Sequence, residues 1–199
     1  MSSPTKKSYF SPAATSILAV LLIQGILIFS AQTFAVQNFD FTRIAGTYNL
    51  TAKSEFLKKT SHGELPGKAE VHFDPLATIK NMDGTFQKIS INMSFGTGLK
   101  SRAEVLVPNQ AGENLMSFKS HWISLSGYVP ALQRGSSFSV SEDSDGDKTK
   151  VVLSLIDPDK LKITLSYSCC KWNLGVFGCG RWGKCRDRYV LQRQQPVQP

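Results

Sequence analysis

A run of short segments in which apolar and polar residues alternate constrains this chain more than any other feature. Ile89, Ile91, Met93 and Phe95 interleave with Lys88, Ser90, Asn92 and Ser94, and Leu161, Ile163, Leu165 and Tyr167 with Lys162, Thr164, Ser166 and Ser168. A strand sends successive side chains to opposite faces, so a period of two makes one dry face and one wet face. About eight such segments follow one another between residues 47 and 169, with no helical period between them. Short turns separate them, at Asp74-Pro75, Asp83-Gly84, Gly96-Thr97-Gly98 and Asp157-Pro158-Asp159. The pattern implies an all-β fold, an antiparallel meander of about eight strands closed as an up-and-down β-barrel, with a β-sandwich as the alternative. Closure is favoured because it removes exposed sheet edges. One strand is expected to run unbroken from Leu115 to Ser126, and Gly127 to Gly135 to form a loop.

A chain of 199 residues can bury one good core. Residues 1–35 read as a targeting segment. Lys6 and Lys7 precede an apolar stretch from Ile17 to Phe29, interrupted by Gln24 and Gly25, and Thr33-Phe34-Ala35 is a small-x-small cleavage pattern. The stretch is short for a membrane span, which takes roughly 20 residues, so a cleaved signal peptide is expected ahead of an uncleaved N-terminal anchor. Either way residues 36–191 form a single exported domain, periplasmic or extracellular, and Gln192 to Pro199 form a flexible tail.

The chain carries a net charge of +8, which falls to about +6 without residues 1–35 because only Lys6 and Lys7 leave with them. Basic residues gather late, at Lys171, Arg181, Lys184, Arg186, Arg188 and Arg193. Of these, Arg181, Arg186 and Arg188 are candidates for contact with an anionic lipid or polysaccharide surface. Nucleic acid is not expected, since the aromatics are scattered and mostly on dry faces.

All four cysteines lie in residues 169–185, at Cys169, Cys170, Cys179 and Cys185. In an oxidising compartment an even count points to disulfides. A bridge between adjacent cysteines is strained, so Cys169 and Cys170 are expected to pair with Cys179 and Cys185, in either arrangement, and to staple a C-terminal loop onto the last strand.

No catalytic set, cofactor motif or metal site emerges, and a non-enzymatic role is expected. His62, His72 and His121 match no metal spacing, although His72 and His121 fall on wet faces from which they could meet. Asp143-Ser144-Asp145-Gly146-Asp147 has the acids of a calcium loop without its later bidentate glutamate, and Asp-Gly is ordinary hairpin chemistry. Two glycosylation sequons, at Asn49 and Asn92, lie on wet faces.

The segment Phe39-Asp-Phe-Thr-Arg-Ile-Ala-Gly-Thr-Tyr48 resembles the opening motif of lipocalin-like proteins, with Gly46 in place and Tyr48 where that family has tryptophan. The resemblance implies a short helical turn before the first strand and an aromatic residue at the barrel base. It also implies a basic residue packed over that aromatic, for which Arg181, Arg186 and Arg188 are the candidates. It further implies a calyx for a small apolar ligand, with Tyr48 at its base and walls formed by Met93, Phe95, Val105, Phe118, Trp122, Leu153 and Leu165. The expected function is an exported carrier of a small lipid-like molecule. The alternative is an envelope interaction module working through the basic, cysteine-rich end.

Overall fold

The structure is a computed structural model that describes residues 40–54, 64–121, 123–144, 147–173 and 179–195. Residues 1–39 lie outside the described residues, and with them the expected signal or anchor segment. Among the described residues no helix is long and apolar enough to cross a membrane.

A four-residue 3-10 turn, Phe41–Ile44, leads into the strands, with Asp40 accepting the Thr42 N–H at 3.1 Å as its N-cap. The strands are β1 Gly46–Ser54, β2 Glu64–Ala77, β3 Phe86–Phe95, β4 Lys100–Pro108, β5 Leu115–Lys119, β6 Val129–Pro130, β7 Leu132–Arg134, β8 Ser137–Ser144, β9 Asp147–Asp157, β10 Lys160–Asn173 and β11 Cys179–Arg193. They form one antiparallel sheet in the order β6-β5-β4-β3-β2-β1-β11-β10-β9-β8-β7. The first and last strands are therefore neighbours, with Tyr48 opposite Arg193 and Ser54 opposite Asp187.

The sheet curls into a nearly closed barrel whose seam lies mid-chain. Instead of running on to Ser126, the chain turns at Ser120, whose hydroxyl accepts the Ile123 N–H at 3.0 Å and whose N–H donates to the Ile123 carbonyl at 2.7 Å. It then runs back along β5, with Leu125 bonded to Phe118 and Met116 opposite Val129. At Ala131 it leaves the β5 ladder, and Leu132–Arg134 pair with β8 instead. One run of chain thus pairs first with one sheet edge and then with the other. Asn114 to Gln133 at 3.0 Å and the Ser126 N–H to Glu142 at 3.1 Å stitch the same seam. Pro130 is tolerated there because an edge needs no further donor.

Among the described residues there are eleven strands rather than about eight. β6 and β7 are too short to show a period. β11 alternates, but an aspartate on the dry face and a valine on the wet face blur the pattern, and glycines open it. The expected stapled loop is therefore largely a hairpin of β10 and β11, and Gln192 and Arg193, expected in the tail, belong to β11.

The interior is filled. Ile44, Tyr48, Val105, Phe138, Leu153, Leu155, Leu161, Ile163 and Leu165 are wholly buried in one cluster that draws on every long strand. Burying a side chain of this size contributes about 1.5–3 kcal/mol, which makes this cluster the main source of cohesion.

Candidate functional site

The two ends of the barrel differ. At the base, Tyr48 points inward from β1, with its hydroxyl 2.7 Å from the Ile44 carbonyl and 2.9 Å from that of Pro158. Arg193, from the end of β11, lies with its guanidinium 5.1 Å from the Tyr48 ring centre and donates to the Tyr48 hydroxyl at 3.0 Å. It also donates to the carbonyls of Ala45 (2.9 Å), Pro158 (3.0 Å) and Arg43, and pairs with Asp159 at 2.7 Å. Gly46 makes this approach possible. Its φ is +149°, and a Cβ there would sit 2.6 Å from the Arg193 guanidinium. Phe41, from the 3-10 turn, stacks obliquely against Phe73 and Phe138 and completes the plug. The basic residue over the aromatic is therefore Arg193, not Arg181, Arg186 or Arg188, all three of which are exposed. In β11 the inward residues are odd-numbered, so Arg186 and Arg188 point outward, and Arg181 lies beyond the barrel at the hairpin end.

At the far end, adjacent cysteines on β10 face opposite ways. Cys169 points inward and bridges to Cys185, whereas Cys170 bridges to Cys179 on the outer side. β10 and β11 are thus stapled on both faces. Beside the inner bridge, Asp187 is buried, 1 % exposed, and accepts the Tyr167 hydroxyl at 3.1 Å. Burial, then the Asp187 charge and hydrogen bond, push the Tyr167 phenol well above its ordinary value. Burial and Asp187 do the same to Tyr189, whose ring lies 6.1 Å from Phe95 and 6.2 Å from Phe118. A small cavity adjoins this group, about 20 Å³, lined by Ala52, Ser54, Leu65, Phe95, Asp187 and Tyr189, with Lys53, Leu99, Ser101 and His121 as further neighbours. That is room for one water. Leu99, Ser101 and His121 also border a wide open concavity that continues over Lys68, Asn92, Ser94, Lys100, Arg102 and Lys119.

Of the expected calyx residues, Phe95 lines the small cavity and Met93 borders the concavity. Tyr48, Val105, Phe118, Leu153 and Leu165 pack into the core, and Trp122 lies outside the described residues. His72 sits beside Glu70 at 3.6 Å, whereas His121 borders the far-end cavity, so the two are not brought together, and His62 is not described. Asp145 and Gly146 of the acidic turn are also outside the described residues, and no group of three or more His, Cys, Asp or Glu among the described residues could hold a metal. Asn49 and Asn92 are both exposed.

Sequence reasoning missed Asp187 because nothing local marks an acid as inward-facing. It also missed Glu104, which lies on the outer face of β4 yet is buried. Glu104 accepts from Lys88 (2.7 Å), Arg102 (2.7 Å), Ser90 (3.2 Å) and Tyr128 (2.8 Å). Burial pushes its carboxyl up, but the Lys88 and Tyr128 hydrogen bonds and the Lys88 and Arg102 charges outweigh this and hold it below the ordinary range. The network ties the seam segment to β4 and has a structural role.

The described residues define an all-β antiparallel barrel, plugged at one end and stapled at the other. No protein-family model matches this chain, and no curated protein matches it. Solved structures that it resembles include EF1p2_mFAP2b bound to DFHBI, at 12% identity and a TM-score of 0.35, over 77% of this chain and 95% of that one. Another is a de novo designed fluorescence-activating β-barrel, at 15% identity and a TM-score of 0.32, over 80% of this chain and 97% of that one. Neither likeness bears on what this chain binds.

Proposed function

We propose that this protein is an exported, lipocalin-like barrel that binds a small, mainly apolar molecule at its stapled end. The observation that carries the reading is the buried Asp187 carboxylate in the wall of a cavity whose apolar lining is Ala52, Leu65, Phe95, Leu99 and Tyr189, beside Lys53, Ser54, Ser101 and His121. Ligand sites combine apolar walls with a few fixed polar groups, and here the polar group is held in place by Tyr167. The ligand's apolar body rests on Phe95 and Tyr189, and its polar end reaches Asp187. The cavity is water-sized as it stands, so entry displaces the rim side chains Leu99 and His121, the latter exposed. The packed residues Val105, Leu153 and Leu165 then form the floor. The Gly46–Tyr48–Arg193 base supports the lipocalin-like assignment, and the apolar stretch Ile17–Phe29 supports export.

The test is a Nile red titration of the oxidised protein. Saturable emission is expected, together with its loss in Leu99→Trp, which fills the rim, at unchanged thermal stability. A flat titration of the unsubstituted protein rejects the reading, and so does full binding by the plugged variant.

A further inference from the structure

We propose that the outer face of β11 is a docking strip for an anionic lipid bilayer. Even-numbered residues of this strand point away from the barrel, and Trp182, Lys184, Arg186 and Arg188 are all exposed, Trp182 by 62 %. Residues two apart on one strand face lie about 6.6 Å from each other, so the four span on the order of 20 Å in a straight row. The β10 residues opposite Lys184, Arg186 and Arg188 are Ser168, Ser166 and Thr164, short and uncharged. Among the described residues none of the three cations is in an ion pair. The indole stands on a rigid base, because its register partner is Cys170, held by the outer bridge to Cys179.

The chemistry of the row selects the partner. Tryptophan favours the boundary between headgroups and acyl chains, where its ring is shielded and its N–H stays wet. Lysine and arginine beside it gain from the negative potential of anionic headgroups. A flexible polyanion read by stacking would call for aromatics repeated along the row, as single-strand binders have. Among the even-numbered residues of β11 from Trp182 onward the aromatic comes once, at one end, and Val190 and Gln192 continue the face beyond Arg188.

The test uses the full, oxidised chain in co-sedimentation with vesicles of phosphatidylcholine alone or mixed equally with phosphatidylglycerol. Binding should require phosphatidylglycerol and weaken with salt. Reversing Lys184, Arg186 and Arg188 to glutamate should weaken it on the order of a hundredfold. Reversing Lys80, Lys100 and Lys119, exposed residues away from β11, changes net charge equally and should leave binding nearly intact. Trp182→Ala should weaken binding and abolish the part of the tryptophan quenching by brominated lipid that Trp182 contributes. Equal binding to both vesicle types overturns the proposal, as does equal loss in the two charge-reversed variants. Preferential capture by dextran sulfate or single-stranded DNA over anionic vesicles overturns it as well.

Discussion

Arg193 and Tyr48 face each other across the β1–β11 ladder, and the guanidinium covers the tyrosine ring while donating to its hydroxyl. One side chain therefore joins the last strand, the 3-10 turn before the first strand and the β9–β10 turn. Arg193→Ala should cost about 3 kcal/mol, since four acceptors, the Tyr48 hydroxyl and the carbonyls of Arg43, Ala45 and Pro158, lose their donor together. Arg193→Lys should recover little of this, because an ammonium cannot reproduce the planar fork. Urea unfolding should show a lower midpoint with an unchanged slope.

Glu104→Gln should destabilise by about 3 kcal/mol, because it leaves the largely buried Lys88 ammonium beside a neutral amide. The Glu104 carboxyl is held below its ordinary value in the fold, so its contribution is present above the unfolded-state pKa of about 4.3 and is lost as pH falls through the folded value. Acid unfolding followed by circular dichroism should therefore show a shallower acid limb in the glutamine variant.

The alkaline limb is set by tyrosines. Burial raises the phenols of Tyr48, Tyr167 and Tyr189, and burial with the Glu104 hydrogen bond takes Tyr128 up to about 12. A folded value raised above the unfolded one means stability that is complete below pH about 10 and lost as pH rises beyond it. Phenolate absorbance from these four residues should appear only with unfolding, and Tyr128→Phe should remove part of the alkaline loss.

Peptide mapping without reduction should return Cys169 with Cys185 and Cys170 with Cys179. The opposite pairing would mean that the two cysteines of β10 do not face as described. In the chain-entropy account a closed loop of 16 residues is worth about 3 kcal/mol and one of 9 about 2.5 kcal/mol. The loops are nested in one hairpin, so each bridge partly covers for the other, and removing both should cost more than the total of the two single removals.

Where one face of a strand meets the core and the other meets water, the sequence states the fold directly. β3 and β10 are legible this way, because Ile89, Ile91, Met93, Leu161, Ile163 and Leu165 are all inward and buried. The far end was less legible because its key group breaks the pattern: Asp187 occupies a dry position where it accepts from Tyr167, twenty residues away. Arg193 was hidden by its setting in a glutamine-rich, proline-containing stretch that looks frayed, although its partners lie near residues 45 and 158. The seam left no trace either, since a strand that changes partner at Ala131 has no period to detect.

Both cysteines of β10 find their partners on β11, the last of the described strands in chain order. During synthesis, Cys169 and Cys170 emerge as a vicinal pair with nothing correct to oxidise against. β1 likewise waits with a bare edge until the same strand arrives. Barrel closure and correct oxidation thus become a single late event, and a chain cut short before Cys179 can achieve neither.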